Sequence, residues 1–235
     1  MNAAQIVAEL KPLGLASYKQ VLLKHGVHEP CLGVKIEELK KIQKRIKQDY
    51  QLALDLYDTG IFDAMYLAGL IADDQKMAKA DLNRWLKQAT HEPLRSSTVP
   101  WVAAGSAHGW ELALAWIESP EEATAEAGWR TLGSFVAITP DPNLDIARLQ
   151  QLLERLGKTI LRQPGGVSFA MNSFLIAVGT YVAPLTELAL RVAETIGSLT
   201  VDMGETACKV PSAVEYIRKA KARGSIGKKR KSAKC

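Results

Sequence analysis

Apolar residues recur along this chain with the period of an α-helix. Leu149, Leu152, Leu153, Leu156 and Ile160 stand at i, i+3, i+4, i+7 and i+11, and Leu185, Leu188, Ala189, Val192 and Ile196 repeat the template. Such spacing puts the apolar side chains on one face of a helix and leaves the rest to water. The pattern predicts about twelve helices, roughly 2–12, 15–25, 35–47, 49–58, 61–72, 75–89, 94–105, 109–118, 120–138, 144–162, 167–181 and 184–197, and then a basic helix at about 212–222. Start signals agree with it. Ser119-Pro120-Glu121-Glu122 supplies an N-cap, a proline for the first turn and a capping acid, and Ser212 with Glu215 supplies a second capping box. Gly, Pro, Asp and Asn fill the short connections, as in Thr59-Gly60, Asp73-Asp74, Pro140–Asn143 and Pro164-Gly165-Gly166. The only extended stretch, Ser198–Val201, is too short to seed a sheet. Short-looped helices with one apolar face each predict an all-α fold, a curved array or superhelix of antiparallel helix pairs with HEAT-like, degenerate repeats. A compact irregular bundle is the alternative. The expected organisation is a single helical-repeat domain over 1–222 and a basic C-terminal tail over 223–235.

Composition narrows the class. With 47% apolar and 23% charged residues in 235, the chain has the balance of a folded protein. No apolar run reaches the roughly 18 residues of a membrane span, and the N-terminus has no signal-peptide pattern. Cys31, Cys208 and Cys235 are too scattered for a disulfide framework or a zinc site, which suits a reducing cytoplasm. The charge is segregated. Residues 209–235 hold ten Lys or Arg against Glu215, a local +9, so the remainder is net −4 within a total of +5. A second basic stretch, 35–47, has six Lys or Arg against Glu37 and Glu38. Charge concentrated in this way suits a polyanion, although a solvated, disordered end is an equal reading of the tail alone.

Candidate chemistry is sparse. His25, His28, His91 and His108 lack paired metal spacing; His25, His28 and Cys31 read as ordinary loop residues, and neither metal nor cofactor is expected. The phosphate-loop, dinucleotide-binding and serine-hydrolase motifs are missing. Trp85, Trp101, Trp110, Trp116 and Trp129 are expected mainly in the core. Trp129-Arg130 pairs an aromatic with a cation on one helix, and the expectation is Trp129 inward and Arg130 outward.

The order of Gly33-Val34-Lys35 opening a basic helix with Leu39 and Ile42, then the Trp101 helix, the Trp129-Arg130 helix and the Phe169–Tyr181 segment resembles the DNA-alkylation-repair glycosylases built of HEAT-like repeats, the AlkD type. The C-terminal segment resembles a divergent branch. The resemblance implies a basic surface that holds double-stranded DNA, with aromatics and a carboxylate facing the damaged nucleotide and an arginine on the backbone. Trp101 and Arg130 match the family's site, which implies an accessible Arg130 guanidinium close to Trp101. The acid expected one turn after Trp101 is Gly105, and the second aromatic is Ala177, with Asn172 and Tyr181 nearby. The expected function is therefore a DNA-binding protein of the alkylation-repair superfamily that recognises alkylated or distorted DNA. One alternative is an active 3-methyladenine-type glycosylase that draws an acid from elsewhere, with Glu111 the first candidate. Another is a helical-repeat scaffold for a protein partner. The expected DNA-binding residues are Lys35, Lys40, Lys41, Lys44, Arg130, Lys209, Lys228, Lys229, Arg230 and Lys231. No membrane and no obligate protein partner are expected, and the expected location is the cytoplasm, on the nucleoid in a bacterium.

Overall fold

The computed structural model describes residues 1–202 and 209–234. Cys208 and Cys235, part of the cysteine reading, lie outside the described residues. All regular structure among the described residues is helical, apart from one isolated antiparallel bridge between Gly14 and Val34. The chain divides into two compact units. The first holds residues 1–108 together with Lys234, and the second holds 109–233.

The first unit contains α1 (Ala3–Leu10), α2 (Ala16–Lys24), α3 (Ile36–Ile46), α4 (Tyr50–Tyr57), α5 (Phe62–Ile71), α6 (Lys79–Gln88) and α7 (Val99–Gly105). Its centre is α5, buried at all ten positions and carrying a single charged residue, Asp63, the pattern of a helix covered all round. Trp85 of α6 is buried and stacks on Tyr57 of α4, with centroids 4.1 Å apart. The Tyr57 hydroxyl donates to the Trp85 carbonyl at 3.0 Å.

The second unit contains α8 (Gly109–Trp116), α9 (Glu122–Ile138), α10 (Ile146–Thr159), α11 (Gly165–Tyr181), α12 (Thr186–Ile196) and α13 (Ala213–Ala222). Helices adjacent in sequence pack as pairs, α8 with α9 and α11 with α12, while α9 lies along α11 and α10 along α12. The stripe Leu149, Leu152, Leu153, Leu156 and Ile160 is wholly buried in this core; of the second stripe Leu185 and Ala189 are buried, and Leu188, Val192 and Ile196 pack at its margin. Glycine permits a close approach between two of these helices. A Cβ on Gly128 would stand 2.7 Å from the Ile117 nitrogen, so α8 and α9 meet as they do because position 128 has no side chain.

Of the two start signals read from the sequence, one caps its helix and the other is displaced. The Ser212 hydroxyl accepts from the Glu215 N–H at 3.3 Å and caps α13. The Ser119 hydroxyl instead accepts from Glu121 N–H at 3.2 Å, in a turn ahead of a helix that begins at Glu122. Ser119 thus closes a turn before α9 and does not cap it. No single helix among the described residues is long and apolar enough to cross a membrane.

Candidate nucleic-acid interface

The Gly33-Val34-Lys35 opening proves to be a structural joint. Gly33 has φ +78°, and a Cβ there would lie 2.7 Å from the Leu15 carbonyl oxygen, so glycine answers both the backbone conformation and the close approach. The Gly33 carbonyl accepts from Leu15 N–H at 3.0 Å. Asp63, buried in α5, accepts from Leu32 N–H at 2.6 Å and from Val34 N–H at 2.7 Å. Its carboxylate satisfies two amides of a loop that has no helix or sheet partner for them. Nearby, burial and then the Asp63 charge push the Cys31 thiol up to about 11, which keeps it protonated near neutrality.

This joint aims α3. Leu39 and Ile42 are buried, and the cationic face is turned outward. Lys35, Lys41 and Lys44 are exposed and Lys40 is half-buried. Lys41 pairs with Glu38 at 2.7 Å and Lys35 approaches Glu37 at 3.8 Å, so part of the charge is answered on the same helix. Arg45 makes a forked pair with Glu9 at 2.6 and 2.9 Å.

Trp101, half-buried on α7, meets Tyr66 edge to face at 5.8 Å. Gly105 ends the same helix one turn later, and the space its side chain would fill is taken by Asp74. A Cβ at 105 would lie 2.9 Å from Asp74 Cγ and closer still to Oδ2. Asp74 pairs with Lys234 at 2.7 Å, and the Lys234 ammonium also donates to the Ala72 carbonyl at 2.7 Å. Burial pushes the Asp74 carboxyl above its usual range, against the opposing pull of Lys234. Gln75 Nε2 donates to the Gly105 carbonyl at 2.6 Å. A carboxylate therefore stands beside Gly105 that nothing in the local sequence signalled, because it belongs to a turn 31 residues upstream. Glu111 lies in the first turn of α8, with its side chain exposed.

In the second unit Trp129 is buried against Phe174, with centroids 5.3 Å apart. Arg130 departs from the outward expectation. Its side chain is only 16% exposed. The guanidinium donates to Ser173 Oγ at 2.9 Å, stands 3.8 Å from a Glu126 carboxylate oxygen and lies 4.7 Å from the Phe169 ring centroid. A hydroxyl, an opposite charge and a π face together offset the cost of enclosing an arginine. Ala177 is buried on α11 and faces Gly133 of α9, where a Cβ would meet the Ala177 Cβ in ordinary contact at 3.7 Å. Asn172 is buried and donates to the Pro211 carbonyl at 2.9 Å; Tyr181 is half-buried.

Lys209, Lys228, Arg230 and Lys231 are exposed or half-buried at the surface. Lys229 is turned inward, where its ammonium donates to the Val136 carbonyl at 2.9 Å and pairs with Asp141 at 2.7 Å. His28 packs against His91, rings 4.4 Å apart, and its backbone N–H donates to His91 Nδ1 at 3.3 Å, whereas His25 is an exposed loop residue. No group of three metal-ligating side chains occurs among the described residues.

Comparison with known proteins adds a family. A family model described as DNA alkylation repair enzyme matches residues 6–217. The uncharacterized proteins Lmo0209 of Listeria monocytogenes and Lin0241 of Listeria innocua are 30% and 29% identical over 225 residues, which is 93% of this chain and 97% of each relative. A solved structure from a new family of proteins related to the HEAT-like repeat DNA glycosylases, with affinity for branched DNA structures, is 33% identical and covers 100% of both chains with a TM-score of 0.92.

Proposed function

The chain belongs to the DNA alkylation repair enzyme family, and on that premise we propose that it is a DNA-binding protein whose preferred ligand is a branched duplex. The observation that carries this reading is the full-length similarity to a protein with affinity for branched DNA structures. The chemistry of the chain supports it. The outward cations Lys35, Lys41 and Lys44 of the first unit, and Lys209, Lys228, Arg230 and Lys231 of the second, suit phosphate oxygens. Interactions of this type position a duplex without reading its sequence. Each phosphate neutralised releases counterions, so affinity falls linearly with salt on a logarithmic scale.

Excision of alkylated bases is the second reading, favoured by the Asp74 carboxylate beside Gly105. Breaking the bond to a cationic N3- or N7-alkylated purine leaves positive charge on the sugar, and an anion held nearby would stabilise it. Asp74 is ion-paired with Lys234, however, and its charge is already answered. DNA binding without efficient excision is the function these groups support best.

The test measures affinity for a four-way junction and for a linear duplex of the same arm sequence across a salt series, and in parallel the release of 7-methylguanine from methylated duplex. The expected result is tighter junction binding, steep weakening with salt and release no faster than spontaneous depurination. Equal affinity for the two DNAs would remove the branched preference. Absence of binding at low salt would favour the protein scaffold, and efficient release would favour the glycosylase.

A further inference from the structure

The basic C-terminal segment has a definite seat in the second unit. After α13 the chain turns at Gly224 and Gly227, both with positive φ (+61° and +75°). Gly227 N–H donates to the Thr180 carbonyl at 2.9 Å, in the last turn of α11. Arg230 N–H donates to the Ala137 carbonyl at 2.8 Å, in the last turn of α9, and Lys229 Nζ donates to Val136 beside it. The final carbonyls of a helix lack partners within the helix and carry its negative end, so the tail supplies donors and a cation where both are favoured. Asp141 completes the anchor. One carboxylate oxygen holds Lys229 at 2.7 Å, and the other accepts from Ala183 N–H at 3.1 Å in the turn after α11. Ala233 is buried at the end of the segment.

This seating sorts the charges. Lys229 is drawn inward with its side chain 16% exposed, and Lys228, Arg230 and Lys231 are left outward. A free polybasic tail would have to be ordered each time it met a polyanion, at an entropic cost. Here the ordering is done by the fold.

We propose that residues 228–231 form a preformed phosphate-binding ridge, in which Lys228, Arg230 and Lys231 contact the sugar–phosphate backbone of one duplex arm and Lys229 with Asp141 positions them. The proposal rests on the DNA-binding reading and assigns the tail a part in it: recognition by fixed placement of charge, which a diffuse cationic cloud cannot provide. Asp141 is a positioning residue, and its effect runs against simple electrostatics. Removing its negative charge makes the protein more cationic, yet releases Lys229 and with it the ridge.

The experiment uses the full chain and a four-way DNA junction. Asp141→Asn is expected to weaken junction binding about three- to tenfold, although it raises the net charge by one. The triple variant Lys228→Ala/Arg230→Ala/Lys231→Ala keeps the anchor and removes the ridge. It is expected to lower the slope of log affinity against log salt by about 2 to 3, at about 0.9 for each phosphate no longer neutralised. Should Asp141→Asn unfold the protein, as thermal melting would show, the triple variant decides alone. Asp141→Asn binding as tightly as wild type or tighter, or a triple variant with an unchanged slope, would overturn the ridge while leaving DNA binding itself in place. A wild-type chain that binds no DNA would overturn both.

Discussion

From sequence, the missing acid one turn after Trp101 invites its restoration as Gly105→Asp. The structure shows that the new side chain would enter the space of Asp74, one carboxylate against another. Overlap and like charge both oppose it. Gly105→Asp alone is expected to lower stability by about 2 kcal/mol, in the range for overpacked positions. Adding Asp74→Ala, which empties that space, should recover about 1 kcal/mol or more as a coupling between touching residues. Thermal melts of the two single variants and the double variant check this; strictly additive effects would show that 74 and 105 do not share one volume. Arg130 teaches the converse. Its place on a helix beside Trp129 was legible, but its enclosure by Ser173, Glu126 and Phe169 was not, since those partners come from another turn of α9 and from α11.

Among the elements, the loop ahead of α3 depends on one side chain of α5. Asp63 accepts from two loop amides, and its neutral isostere cannot serve both, since one oxygen becomes an NH2 donor facing an N–H. Hydrogen bonds to a charged group contribute roughly 1.5–3 kcal/mol each. Asp63→Asn is therefore expected to cost about 2–3 kcal/mol, read as a lower denaturant midpoint. It should also loosen the loop that carries Lys35, read as faster amide exchange at Leu32 and Val34. Unchanged exchange there would show that the carboxylate is not the clamp.

For the molecule as a whole, the buried His91 links stability to pH. Burial, and then the neighbouring His28, lower its value to about 4 from an ordinary 6.5. The folded state thus favours the neutral ring, and between these values the unfolded chain binds the extra proton. The contribution is fully present above pH 6.5 and is lost as pH falls from there through 4. The gap between the two values caps the loss at about 3 kcal/mol, at roughly 1.36 kcal/mol per pH unit. Equilibrium unfolding at about pH 7 and about pH 4.5 checks the effect, and His91→Gln should flatten the slope. A slope identical in the variant would place the acid sensitivity elsewhere.

The sequence by itself determined the all-helical character, the approximate helix boundaries, the Ser212 cap and the segregation of basic charge. Each of these is local: periodicity and capping are read within one or two turns, and charge is counted along the chain. Only the tertiary structure decided that Asp74 fills the place beside Gly105, that Asp63 closes the loop at Gly33, that Arg130 is enclosed and that Lys229 turns inward among lysines otherwise alike. Those outcomes depend on which buried carbonyl or carboxylate a distant segment brings within hydrogen-bond reach. A desolvated polar group must find such a partner, and its identity is a property of packing, not of spacing along the chain.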